Sequence, residues 1–258
     1  MSKYCIIHRL GLVPYDRAWK LQDALAGEIA AGERPPTLLL LEHPHTYTFG
    51  RQSQAENLLW NDAELKKRAV SVRWVDRGGD VTYHGPGQLV GYPLLPLVPG
   101  GLRVGVYQGG SDEEGAQLPK VDYIGYLRKL EIALIGALRR LGMESRQVEG
   151  LTGVWVDCEL IITDYEIQNL VRKIASIGVK VDLKGISRHG FALNVNPDMS
   201  YWDGIIGCGL ADYHETSLAE LNPPAPNMER VMDALVRSFG EVFDYQMHEE
   251  LLKQRYQS

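Results

Sequence analysis

Cysteine is scarce in this 258-residue sequence. There are three, Cys5, Cys158 and Cys208, and none forms a CxxC pair. Neither a disulfide framework nor a cysteine-built zinc site is therefore in prospect, and a reducing, cytoplasmic compartment is expected. No apolar run is long enough to span a bilayer. The opening MSKYCIIHRLGL has neither the apolar core of a signal peptide nor the Arg/Ser-rich character of a transit peptide. Basic charge is also short: 27 Lys and Arg against 33 Asp and Glu leave a formal net charge of -6. A protein whose main work is gripping nucleic acid needs a basic face to displace counterions, so that class is disfavoured. Internal repeats are absent, and so are a Walker loop and a GxGxxG turn.

What remains is the composition of an ordinary globular chain, 45% hydrophobic and 23% charged. It is enough for a full core, and one domain over residues 1–258 is expected. A helix is predicted from Asp16 as its cap, with Leu21, Leu25 and Ile29 on one face and Gly32 as its stop. TLLLLEHP reads as a strand buried on both faces and ended by Pro44. Val70, Val72 and Trp74 alternate as in a half-buried strand. The proline-broken LVGYPLLPLV at 89–98 reads as an edge strand or extended segment rather than a central one. Residues 99–120, rich in glycine with Asp112, Glu113 and Glu114, form a surface loop by composition. A second helix is predicted from Asp122, with an apolar stripe of Ile124, Leu127, Leu130, Leu134, Leu138 and Leu141 and a stop at Gly142. Strands are predicted at Gly153 to Val156, Lys173 to Val181 and Ser187 to Val195, and a last helix from Met228 to Phe243. Strands and helices mix without regular alternation, which predicts an α+β fold with a mixed sheet.

The densest unusual segment is RGGDVTYHGPGQ, Arg77 to Gln88. Four glycines and a proline interleaved with Arg77, Thr82, Tyr83 and His84 suit either a backbone that comes close to a ligand or a plain turn between strands. Glu42, His43 and His45 sit together in LEHPHTYTFGR but offer no fourth ligand at metal spacing, so a loop without metal is expected. His214, in a polar loop, carries no particular expectation of chemistry, and at His189 the neighbouring Gly190 backbone is expected to matter more.

The glycine-rich segment, extended to RGGDVTYHGPGQLVGYPLL, resembles the signature of the bacterial octanoyltransferases of lipoate biosynthesis. Three more segments follow in that family's order: KIASIGVKV from Lys173, RHGFALNVN around Gly190, and IIGCGL around Cys208 with TSL at Thr216 to Leu218. The resemblance runs from about Tyr4 to Leu221. It implies the fold of biotin protein ligases and lipoate ligases, a mixed β-sheet flanked by helices with an acyl tunnel along the sheet. It implies that Cys208 is the acyl-thioester nucleophile and that Lys173 lowers its pKa and handles protons. Arg77, Gly78, Gly79, Asp80, Val81, Thr82, Tyr83, His84, Ser176, Ile177, Gly178, Gly190, Phe191 and Ala192 would line the acyl site. His84 and the amides of Gly78 and Gly79 would lie near the thioester carbonyl. The implied donor is octanoyl-acyl carrier protein. The implied acceptors are the lipoyl domains of 2-oxoacid dehydrogenase E2 subunits and the glycine cleavage H protein. No cofactor, metal, nucleic acid or membrane is implied.

Elementary chemistry agrees with those roles. A thiol attacks only as thiolate, and a nearby ammonium is one of the few ways to make one at neutral pH. Cys208 lies between Gly207 and Gly209, where small neighbours leave sulfur open to a substrate; the bland alternative is a small buried hydrophobe. Lys173, flanked by Ile174 and Ala175, could equally be an edge-strand lysine in water. Cys5 and Cys158 are assigned to packing. Arg51, Arg77 and Arg188 are the candidates for a basic surface that receives an acidic carrier. Two stretches depart from the family pattern, a longer acidic link at 101–120 and an insertion between Trp155 and Lys173. The rival readings are an ATP-dependent lipoate or biotin ligase and a non-catalytic module that binds an acyl carrier.

Overall fold

The computed structural model describes residues 3–97, 122–163, 166–207, 213–253 and 256, with backbone alone over 159–169. The predicted surface loop at 99–120 and the nucleophile expected at Cys208 lie outside the described residues. Along the chain run β1 (Tyr4–Leu12), α1 (Tyr15–Ala31), β2 (Thr37–Glu42), β3 (Thr46–Phe49), α2 (Asp62–Lys67), β4 (Ser71–Trp74), β5 (Thr82–His84) and β6 (Gln88–Leu94). They are followed by α3 (Tyr123–Arg140), β7 (Val154–Thr163), β8 (Glu166–Val181), β9 (Ser187–Asn194), β10 (His214–Glu215), α4 (Leu218–Leu221), α5 (Met228–Phe243) and β11 (Gln246–Glu249). The large sheet is mixed, in the order β10-β8-β9-β6-β2-β1-β11 with β7 also paired to β8; β4-β3-β5 make a small second sheet.

The four leucines of β2 show why the helices lie where they do. Successive side chains of a strand point to opposite faces. Leu38 and Leu40 enter a cluster with Leu134 and Leu138 of α3 and Leu235 and Phe239 of α5, while Leu39 and Leu41 meet Leu21, Leu25 and Ile29 of α1. All four are fully buried, each contributing about 1.5–3 kcal/mol by removal from water. The caps follow from side-chain chemistry. Asp122 accepts the Gly125 N–H at 2.8 Å, Asn227 accepts that of Arg230 at 2.8 Å, and Gly32 ends α1 at a φ of 76°. Asp16 is not the cap of α1: Pro14 holds that position, and Asp16 in the first turn binds Arg73 instead.

Three other expectations are corrected. β6 is a central strand, buried throughout and flanked by β2 and β9. It tolerates Pro93 because its ladder with β9 stops at Gly91↔Phe191, so the missing N–H is required on no more than one side. Trp74 is 59% exposed, because β4 is an edge of the small sheet. Ile124, placed on the apolar stripe of α3, is 69% exposed, whereas Tyr126 in the same first turn enters the core.

The insertion between Trp155 and Lys173 is an extension of the β7–β8 hairpin, paired from Trp155↔Lys173 out to Thr163↔Glu166. It places Lys173 in the interior of a 16-residue strand. Lys173 is consequently buried, 4% exposed, and the solvated edge lysine is overturned. Among the described residues no helix is long and apolar enough to cross a membrane.

Candidate active site

The segment joining β4 to β5 is pinned at several points. Arg77 is buried and donates to the Thr48 carbonyl at 2.5 Å, to the Thr48 hydroxyl at 2.9 Å and to the Gly78 carbonyl at 3.0 Å. The Gly78 amide donates to the Val179 carbonyl at 2.9 Å, fastening the loop to β8. Gly50 has no room for a Cβ against the Gly79 carbonyl, so glycine there permits the close approach. Asp80 accepts from Asn57 Nδ2 and from the Val81 amide, both at 2.6 Å.

This loop, β8, β9 and the start of α1 enclose a cavity of about 420 Å³, within the range of small-ligand sites. Of the residues expected at the site, Arg77, Gly79, Asp80, Thr82, His84, Lys173, Ser176, Ile177, Gly178, Gly190, Phe191 and Ala192 line it. Val81 and Tyr83 do not. Strand alternation turns them into the core of the small sheet, with Tyr47, Phe49 and Trp202. Gly78 is absent from the wall too, and its amide, engaged by Val179, is unavailable to a thioester carbonyl.

The protonation of His84 follows from a chain of partners. The Thr216 carbonyl can only accept, so Asn194 presents Nδ2 to it (2.9 Å) and Oδ1 to Gln88 Nε2 (2.9 Å). Gln88 Oε1 is then the acceptor for His84 Nδ1 at 2.8 Å. His84 therefore carries its proton on Nδ1, and Nε2, 3.4 Å from the Thr48 hydroxyl, is a lone pair. Burial, then repulsion from His43, holds His84 well below the usual imidazole range. A neutral ring in this tautomer accepts a hydrogen bond at Nε2 and cannot donate one from that atom. The same chain joins the TYHGPGQ and TSL segments physically, although more than a hundred residues separate them.

The inner wall is aromatic and polar. His43 Nδ1 donates to the Val13 carbonyl at 2.6 Å, so its Nε2 accepts from the Tyr92 hydroxyl at 2.7 Å, and burial lowers its pKa to about 4. His189 holds a left-handed backbone, φ 56°. Its amide donates to Gln22 at 2.7 Å and its Nε2 to Asp76 at 2.7 Å, leaving Nδ1 to accept from the Tyr15 hydroxyl at 3.4 Å. Asp76, further bound by Lys180 and Arg188, is held far below the usual carboxylate range, first by the His189 hydrogen bond and then by Lys180. Thr82 Oγ1, buried on the wall, has no partner among the described residues.

Lys173 stands in a row across three strands, opposite Trp155 on β7 and Glu215 on β10. Its Nζ is 5.2 Å from the centre of the Trp155 indole, a cation–π contact. Burial raises the Glu215 carboxyl to about 7, with the Lys173 ammonium acting against that rise. Cys5 is buried in the core, with its thiol pushed up to about 12 by burial, and half-buried Cys158 is raised by the same cause.

Sequence reasoning missed Tyr15, Tyr92, Glu215 and the wall from Gly150 to Thr152. Tyr15 and the 150–152 wall carry no local signal, whereas Tyr92 lies inside the RGGDVTYHGPGQLVGYPLL segment and Glu215 adjoins TSL. Glu42, His43 and His45 point apart: to the Gly87 amide, to Val13 and Tyr92, and to Tyr83 and Tyr201. Arg77 and Arg188 are drawn inward, Arg188 to Asp23 and Asp76. Of the three expected surface cations only Arg51 is exposed.

Residues 14–240 match the family described as lipoyl protein ligase A/B catalytic domain. An octanoyltransferase of Chloroflexus aurantiacus is 40% identical over 246 residues, covering 95% of this chain and 97% of that one. An octanoyltransferase of Rubrobacter xylanophilus is 42% identical over 235 residues, 90% of each chain. The lipoate protein ligase of Thermoplasma acidophilum, solved as part of an archaeal lipoylation system, superposes with a TM-score of 0.64 at 18% identity, over 100% of this chain and 89% of that one, and so shares the fold. The order of the strands, the cavity between the glycine loop and β8–β9, and relatives at this identity over nearly the whole length agree: the chain belongs to the lipoyl protein ligase A/B catalytic domain family and, within it, groups with the octanoyltransferases.

Proposed function

We propose that this chain, as one catalytic domain over residues 1–258, transfers an octanoyl group from acyl carrier protein to a lysine of a lipoyl domain through a thioester on Cys208. The observation that carries the reading is the buried Lys173 on the wall of the 420 Å³ cavity. An ammonium close to a thiol favours the thiolate, the form that attacks. In the first half-reaction the Cys208 thiolate attacks the thioester carbonyl carbon of the carrier. A C–S bond to Cys208 forms, the bond to the phosphopantetheine sulfur breaks, and that sulfur takes up a proton. In the second half, the acceptor amine attacks the acyl-enzyme, a C–N bond forms and the Cys208 sulfur leaves. The thioester is already activated, so no ATP is consumed. Arg77, Gly79, Asp80, Thr82, His84, Ser176 to Gly178 and Gly190 to Ala192 would enclose the acyl chain. The proposed acceptors are E2 lipoyl domains and the glycine cleavage H protein, and the proposed location is the cytoplasm.

The rival with a specific observation behind it is ATP-dependent ligation, because lipoate-protein ligase A with bound ATP shares the fold at a TM-score of 0.64 and 18% identity. Intact mass after mixing with octanoyl carrier protein separates the two. An octanoyl adduct on Cys208 without ATP supports transfer; acyl delivery only from free acid and ATP supports the ligase and ends the present reading.

A further inference from the structure

A second cavity of about 460 Å³ opens on the Glu215 side of Lys173. Trp202, Ile205 and Tyr213 give it apolar and aromatic walls, and Glu215 lies within it. The Trp202 indole N–H has no acceptor among the described residues. The Glu215 carboxylate lies against Gly207 so closely that a Cβ at Gly207 would strike it, and Gly207 precedes Cys208 in the chain. Glu215 is also the cross-strand neighbour of Lys173, and the Thr216 amide donates to the Lys173 carbonyl at 2.9 Å, which fixes β10 beside β8. A cavity with aromatic and aliphatic walls on one part and the carboxylates of Asp203 and Glu215 on another can take a side chain with an aliphatic stem and a cationic head.

We infer that this second cavity admits the side chain of the acceptor lysine and that Glu215 accepts the proton that lysine must lose before it attacks. The inference rests on the transfer reading above. An incoming ammonium gives a proton to the Glu215 carboxylate and becomes a neutral amine. The amine nitrogen attacks the acyl carbonyl carbon, the C–N bond forms, the C–S bond breaks, and the second nitrogen proton passes to the departing sulfur. Glu215 then returns its proton to solvent. The half-buried carboxyl, raised to about 7 by desolvation, suits this task, because a proton acceptor works best when its pKa lies near the working pH. Among the described residues the other ionisable groups facing this cavity are Arg172 beside Lys173 on β8, Asp203 on the turn before Gly207, and Tyr213 and His214 at β10.

The experiment uses the full chain, octanoylated on Cys208 from octanoyl carrier protein, in single-turnover reactions with a lipoyl domain and, separately, with hydroxylamine. Hydroxylamine is already neutral near pH 7 and needs no proton removed. For Glu215→Gln, which preserves shape, transfer to the lipoyl domain at pH 7 should fall about 10- to 100-fold more than acyl-enzyme formation does. The wild-type shoulder near pH 7 in the transfer rate should vanish, and hydroxylamine should discharge both proteins at similar rates. Equal slowing with hydroxylamine and lipoyl domain, equal slowing of both half-reactions, or transfer at the wild-type rate with its shoulder intact each overturns the assignment of Glu215. Failure of the unsubstituted protein to form any acyl-enzyme overturns the transfer reading itself, and this inference with it.

Discussion

Trp155 and Lys173 face each other across β7 and β8, with the ammonium 5.2 Å from the centre of the indole. An ammonium held at such a distance and 4% exposed is poorly screened by solvent, so its field should be felt by a thiol nearby. In a Cys158→Ser background, Lys173→Met keeps much of the stem's volume and removes the charge. The pH profile of Cys208 alkylation by iodoacetamide should then move up by roughly one to three units, each worth about 1.4 kcal/mol. Cys5 stays silent in the folded protein, buried with its thiol near 12. Lys173→Arg should restore part of the alkylation and little turnover, since guanidinium cannot release a proton near neutral pH. An unmoved profile in the Met variant removes Lys173 as the activator.

Asp76 accepts from Lys180, from Arg188 and from His189, which lines the 420 Å³ cavity. Its folded pKa is depressed below an unfolded value of about 3.9, so its contribution is fully present above that value and is lost as pH falls through the folded one. Asp76→Asn should cost about 2 kcal/mol at pH 7, the scale of hydrogen bonds to a charged group, and the gap should narrow steadily below about pH 4. Urea titrations at pH 7 and pH 3 check it. A gap that is the same at both assigns the loss to shape rather than charge.

At the crossing of β6 and β9 the Phe191 ring covers Gly91, where a Cβ would strike it. Gly91→Ala overpacks that contact at a cost of about 1–3 kcal/mol and pushes Phe191 into the cavity it lines. KM for a long acyl donor should rise more than KM for a short one, read from steady-state rates on butanoyl and octanoyl carriers. Equal changes for both would mean that the ring yields elsewhere.

Gly153, with φ at 123°, brings its backbone against Lys173; a Cβ there would lie 2.6 Å from Lys173 Cε and 2.6 Å from the Ala175 carbonyl. Its amide is held by Glu131, a fully buried carboxylate that also binds Arg128 and Gln147. Gly153→Ala should displace the ammonium and lower kcat by about 10- to 100-fold, since misplacement by an ångström can cost two orders of magnitude. Gly142→Ala is the control. It has φ 83° and nothing within 4 Å, and should cost about 1 kcal/mol of stability with kcat unchanged.

Much of this was written locally. The buried leucines of TLLLLEHP, the cap at Asp122, the stop at Gly32 and the amphipathic last helix depend on periodicity and on side chains a few residues apart, and all appear at the expected places. The α+β class was legible for the same reason; the RGGDVTYHGPGQ segment stood out by composition, and KIASIGVKV by its resemblance to the family. What a local pattern cannot hold is a partner at long range. Pro93 suggested an edge, and only the pairing of β6 with β2 and β9 made it central. Lys173 reads as a solvated lysine until β7 and β10 close over it from either side. The tautomer of His84 is settled by a carbonyl at Thr216, and the titration of Glu215 by burial against Gly207 and the charge of Lys173. Sequence determined which groups exist and which way each strand faces. Tertiary structure decided which of them lose water and whose field they feel, because desolvation and Coulomb interactions depend on distance through space and not along the chain.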